Sequence, residues 1–305
     1  MFLSLEWLVG RGYKPANMLS RLWSLLLLWP LVLVVASGSG QAFAASGPSL
    51  AALRALGARE VRNVYVRPPA GDPGDGPLQV LIALHGMSGN GADFGSALAA
   101  QADAHRWLIV APTFSYGDWT NPDQISHEDP ALIAWLSEYV NHLGDRTGYS
   151  VQPRVLLFGH SRGAQLALRF TEIHPDLVTG VAAVSAGTYT LPLQADEATG
   201  QTLNYPFGVA NLAQTDGGEG FDASAFNAVP IWIGVGARDN VDTDVPDAWD
   251  PYIGIDRLGR AQAFTQALQD LGATVSLTVF PDADHTLTDA MRAGGCDALA
   301  LYASG

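Results

Sequence analysis

The 305-residue chain has a single cysteine, Cys296, and a single lysine, Lys14. A lone cysteine excludes an intramolecular disulfide, and no Cys/His spacing of the structural-zinc kind occurs, so the fold must stand on its apolar core. Positive charge is scarce: 16 Lys and Arg against 30 Asp and Glu leave a net charge of −14. A surface of that sign repels polyphosphates and anionic lipid headgroups, and no basic run offsets it, which argues against nucleic-acid binding. The sequence also lacks an uninterrupted apolar run of the ~20 residues that a membrane span needs. With 48% hydrophobic and only 15% charged residues, it is not a disordered polymer either.

The main apolar run near the front, Leu22 to Ala36, contains Pro30 and stops at Ser37-Gly38-Ser39-Gly40. Arg11, Lys14 and Arg21 precede it, and Ala42-Phe43-Ala44 follows. That three-part layout predicts a secretory signal peptide over residues 1–44 in preference to a membrane anchor, with Met18 a more compact start than Met1. The expected location is then secreted or periplasmic, with no stable membrane association once the peptide is removed. The mature chain 45–305 would keep thirteen basic residues, all arginine, against 29 acidic, a net charge of −16.

From Val61 onward, short apolar runs rich in β-branched residues alternate with helical patterns, which predicts an α/β fold: a mostly parallel central sheet with helices on both faces. The expected strands are 61–66, 79–84, 107–111, 154–158, 178–185, 230–235 and 274–280, most of them continuous apolar runs as in strands buried on both sides. Asp129 with Pro130 reads as the start of a helix whose apolar face carries Leu132, Ile133, Leu136 and Val140. Phe264, Ala267, Leu268 and Leu271 mark another, closed by Gly272. Residues 187–228 are long for a loop in a compact domain and form a possible lid-like insertion. No repeat or second core is visible, so 45–305 is expected to be one domain.

Chemistry is concentrated at the ends of these strands. Gly159-His160-Ser161-Arg162-Gly163 sits between a strand and a helix. A sharp turn there leaves no room for side chains at the flanking positions, and it lifts the serine hydroxyl to the helix N-terminus. A hydroxyl is a poor nucleophile without a base to take its proton and a carboxylate to hold that base in the right tautomer. His285 follows the last strand through Pro281-Asp282-Ala283-Asp284, and Asp239 follows the strand before it in Gly236-Ala237-Arg238-Asp239. Asp242 and Asp244 remain alternatives for the acid. His105 and His142 fall in helical patterns and His127 in a polar stretch, without partners.

These motifs, with His85-Gly86-Met87 after the second strand, resemble the α/β-hydrolase superfamily from about Val61 to the end. Within it the chain looks like the secreted serine esterases grouped with polyhydroxybutyrate depolymerases and dienelactone-hydrolase-like enzymes. The order Ser161, Asp239, His285 matches that superfamily. The resemblance implies a Ser-His-Asp triad and an oxyanion hole made by the backbone N–H groups of Arg162 and Met87. The loop departs from the three-glycine form, with Gly86 alone before Met87, which narrows the subtype. Tyr116, Trp119 and Trp249 lie in loops at the expected edge and are candidates for substrate contact or for packing; His160 is a pocket or packing residue. The implied activity is cleavage of carboxylic esters, small or polymeric, through an acyl-enzyme without cofactor or metal. A peptidase or amidase of the same superfamily, or a catalytically silent binding protein on this scaffold, are the alternatives.

Overall fold

The computed structural model describes residues 47–304 apart from Asp72, Pro73, Asp75, Asp216 and Glu219. The expected signal peptide lies outside the described residues. Seven strands form one sheet: β1 (Val61–Arg67), β2 (Gln79–Leu84), β3 (Trp107–Phe114), β4 (Val155–His160), β5 (Val178–Val184), β6 (Ile231–Gly236) and β7 (Val275–Phe280). Their order across the sheet is β1-β3-β2-β4-β5-β6-β7, with β1 antiparallel to β3 and the other neighbours parallel. Each expected strand is present. β3 runs past Ala111 because β1 pairs along it as far as Phe114.

The two-residue period of a strand divides the core. Along β2, Val80, Ile82 and Leu84 join one apolar cluster with Leu132, Leu136, Phe170 and Phe264, while Leu81 and Ala83 join the other with Leu98, Met291 and Leu299. Both faces are therefore covered by helices, and each fully buried leucine contributes about 2 kcal/mol.

The expectations at Asp129 and His127 need correction. The helix that was to begin at Asp129 spans Pro122–Asn141; Asn121 caps it by accepting from the Asp123 and Gln124 N–H groups, and Pro130 lies inside. Asp129 is fully buried in mid-helix, with its carboxylate taken by Arg162 and Arg169, and His127 belongs to the same helix, its Nδ1 facing the Asp123 carbonyl. Residues 187–228 carry the short helices Leu212–Thr215 and Ala223–Asn227 and bury Tyr189, Leu191, Leu203, Tyr205 and Phe226. Their first part is tied to the helix Arg162–Ile173: Arg169 donates through Nη2 to Thr188 Oγ1 at 2.8 Å and through Nε to Thr190 Oγ1 at 3.0 Å. Among the described residues no helix is long and apolar enough to cross a membrane.

Candidate active site

Ser161 stands between β4 and the helix Arg162–Ile173 with φ of +53°, a left-handed conformation that costs any residue bearing a Cβ. Its N–H is held by the Val184 carbonyl at 2.8 Å. The flanking glycines are steric necessities. A Cβ on Gly159 would lie 2.4 Å from the Gly163 carbonyl oxygen, and one on Gly163 would lie 2.0 Å from that of Leu84. The backbone thus closes tightly around the serine and presents its hydroxyl.

His285, on the loop after β7, places Nε2 3.0 Å from Ser161 Oγ and Nδ1 3.0 Å from Asp239 Oδ2. A carboxylate accepts only, so Nδ1 carries the ring proton and Nε2 is left to accept from the hydroxyl. Asp239, after β6, is buried, its own N–H bonded to the Gly236 carbonyl at 3.1 Å. Burial alone would raise its carboxyl; the hydrogen bond and charge of His285, then the charge of Arg257, hold it below the usual carboxylate range. Asp242 and Asp244 are exposed, and neither is bonded to His285.

The loop 85–90 closes the other side. A Cβ on Gly86 would sit 3.3 Å from Ser161 Cβ, which measures how closely this loop approaches the serine. His85 is buried and fixes the loop through both ring nitrogens: Nε2 accepts from the Phe114 N–H at 3.0 Å, so Nδ1 donates to the Gly86 carbonyl at 2.7 Å. Burial pushes its basicity down. Met87 follows, partly exposed at the groove. Across the turn, the N–H of Arg162 opens a helix, where first-turn amides have no intrahelical acceptor.

Arg162 also anchors the turn from beneath. Its guanidinium binds Asp129 and reaches Glu128 Oε1 at 3.2 Å, while Arg169 meets the other Asp129 oxygen at 2.8 Å. Burial opposes the Arg162 charge, but Asp129 raises its basicity beyond the usual value. Arg162 lies over the Tyr116 ring, 4.8 Å from its centroid, and Tyr116 packs against His85 with ring centroids 5.0 Å apart.

A groove of ≈ 580 Å³ opens over the serine, lined among others by Met87, Phe94, His160, Ser161, His285 and Leu287. His160 sits in it with Nε2 donating to the His285 carbonyl at 3.0 Å; burial, with the neighbouring His285, lowers its basicity to about 4, so it is neutral. Trp119 lies over Arg257 and against Gly187. Trp249 is not brought to the groove: it is buried beside Phe207 and donates through Nε1 to the Tyr189 carbonyl at 2.9 Å. A larger hollow of ≈ 920 Å³, lined by Gln79, Arg154, Pro230 and Tyr302, lies at the opposite ends of the strands and holds none of these groups.

Sequence reasoning missed Arg257, whose Nη1 donates to Asp239 Oδ1 at 3.2 Å, and the Asp129 network. Arg257 follows the capping residue Asp256 and so reads as an ordinary helix start. Among the described residues no cluster of His, Cys, Asp and Glu is placed to hold a metal ion.

No family model matches the chain. A curated relative, poly(3-hydroxyalkanoate) depolymerase C of Paucimonas lemoignei, is 26% identical over 194 residues, which are 60% of this chain and 44% of that protein. The chain thus spans less than half the length of this relative. Among solved structures it is similar to poly(aspartic acid) hydrolase-1 from Sphingomonas sp. KT-1 (TM-score 0.57, 23% identity, 78% of this chain and 92% of that one). It is also similar to a poly(3-hydroxybutyrate) depolymerase from Bordetella parapertussis (TM-score 0.56, 24% identity, 79% and 85%). The fold is that of the α/β-hydrolases.

Proposed function

We propose that the chain is an exported serine hydrolase that cleaves carboxylic esters, small or polymeric, through an acyl-enzyme. One observation carries this reading: His285 stands 3.0 Å from both Ser161 Oγ and Asp239 Oδ2, with the serine held in a strained turn. Ser161 attacks the ester carbonyl while His285 takes its proton through Nε2; Asp239 keeps the imidazole in the required tautomer and balances the imidazolium. The negative charge that appears on the carbonyl oxygen falls to the N–H groups of Arg162 and Met87, fixed in place before reaction. His285 then gives its proton to the departing alkoxide, and water repeats the cycle on the acyl-enzyme. This sequence requires no cofactor. The apolar lining from Met87, Phe94 and Leu287 suits an uncharged acyl or alkyl segment, and the depolymerase among the relatives fits a polymeric ester.

A fluorophosphonate probe tests the reading: it should label Ser161 stoichiometrically, and Ser161→Ala should abolish both labelling and ester turnover. His285→Ala should lose about three decades of kcat on a p-nitrophenyl ester while keeping its fold. Faster turnover of the matched anilide would identify an amidase instead, and a folded protein that neither labels nor turns over would be a binding protein.

A further inference from the structure

We propose that Arg257 is a positioning residue for the base, gripping the far oxygen of Asp239 and keeping a fixed positive charge behind that carboxylate, so that both its aim at His285 and its pull on the imidazole are set from behind. This rests on the reading of Ser161, His285 and Asp239 given above. Arg257 opens the helix Arg257–Asp270, where a cation opposes the helix dipole, so its place does not serve the helix. Its guanidinium serves the site. Nη1 donates to Asp239 Oδ1 at 3.2 Å and Nη2 to the Asp244 carbonyl at 2.7 Å, which fixes the fork on two sides. The side chain is only 7% exposed, with the Trp119 ring 5.7 Å from Cζ. That indole is itself seated where only a glycine fits, since a Cβ on Gly187 would come within 2.5 Å of it.

A neutral donor would satisfy the second oxygen of Asp239 equally well as a hydrogen-bond partner. A guanidinium differs in one respect: its charge never leaves, and behind a protein surface it is poorly screened. Asp239 attracts the second proton of the imidazole, and Arg257 subtracts from that attraction. Other charged and titratable groups near the pair are neutral, matched or exposed, and Arg292, which lines the same groove as His285, is paired with Asp289. His160 is neutral, Tyr189 is kept protonated by burial, and Arg260 is paired with Asp250 at 2.6 Å. Asp284 and Arg238 stand on the exposed loops beside His285, where water screens them, and the Asp244 carboxylate is exposed.

The test is the acid limb of kcat/KM on a p-nitrophenyl ester, read beside the pH dependence of fluorophosphonate labelling, in the mature chain. Arg257→Gln should move that limb toward neutrality by about one pH unit, the size expected of one charge acting across a buried carboxylate. Arg257→Lys keeps the charge and loses the fork; its limb should stay in place while kcat falls about tenfold through looser alignment. A limb unmoved in Arg257→Gln, or moved as far in Arg257→Lys, overturns the proposal. Arg257→Met, closer in volume, repeats the experiment where glutamine prevents folding. If neither neutral variant folds while lysine does, Arg257 is a structural brace and the proposal fails. A wild-type chain that neither labels nor hydrolyses refutes the enzymatic reading instead, whereas an active one with an immovable limb refutes only the role of Arg257.

Discussion

Replacing Asp129 by alanine removes the carboxylate that Arg162 and Arg169 share, at a place where all three side chains are at most 1% exposed. Truncating one partner of a buried ion pair costs about 3–5 kcal/mol, because the charge left behind has neither water nor a counterion. Here the loss is cushioned. Arg162 keeps Glu128 at 3.2 Å, and Arg169 keeps the Thr188 and Thr190 hydroxyls, which sets the expected cost at the lower end, about 3 kcal/mol. For a chain of this size each kcal/mol moves Tm by about 2–4 °C, so Asp129→Ala should melt roughly 9 °C lower. Calorimetry on residues 45–305, with urea titration as a second measure, checks the number. Asp289→Ala is the control, since its pairing with Arg292 is made by a carboxylate that is 95% exposed and should barely move either midpoint. A loss under about 1 kcal/mol for Asp129→Ala would refute the reasoning, because the stranded guanidiniums would then have to be hydrated or re-paired.

Two further outcomes follow from single contacts. Gly163→Ala puts a Cβ 2.0 Å from the Leu84 carbonyl oxygen and 2.6 Å from that of His85, between the serine turn and the 85–90 loop. It should lose at least about 2 kcal/mol by urea titration and most of its turnover, and a variant with wild-type midpoint and kcat would contradict the geometry. Glu172 is buried with neither carboxyl oxygen hydrogen-bonded, and burial raises its carboxyl well above the usual value. The native chain therefore holds a proton that the unfolded chain releases above about pH 4.3, and stability declines as pH rises from there until the folded group ionises. Glu172→Gln, which has no proton to lose, should be the more stable protein at neutral pH, with the gap closing below that value; a gap independent of pH counts against the assignment.

Much of this molecule was readable before its structure. The seven strands announce themselves as apolar runs, and Ser161, Asp239 and His285 each follow one of them, so a parallel sheet brings all three to one edge. What stayed hidden depends on partners distant in sequence. Asp129-Pro130 carries the local signature of a helix start, and only Arg162 and Arg169, more than thirty residues on, reveal why a carboxylate lies in mid-helix. Arg257 is disguised in the same way by its capping neighbour. The stretch 187–228 lacks the periodicity of long helices or strands, so its buried Tyr189, Tyr205 and Phe226 give no pattern to read. Trp249 sits beside the acid loop in sequence, yet its indole N–H is satisfied by Tyr189 in the interior.

The positive φ at residue 161 sets durability against reactivity at a single position. Glycine would occupy that backbone at ease, so a lineage kept only for toughness would drift toward it and shed the hydroxyl. Keeping an oxygen at that spot therefore leaves the turn under tension, which the surrounding chain has to bear.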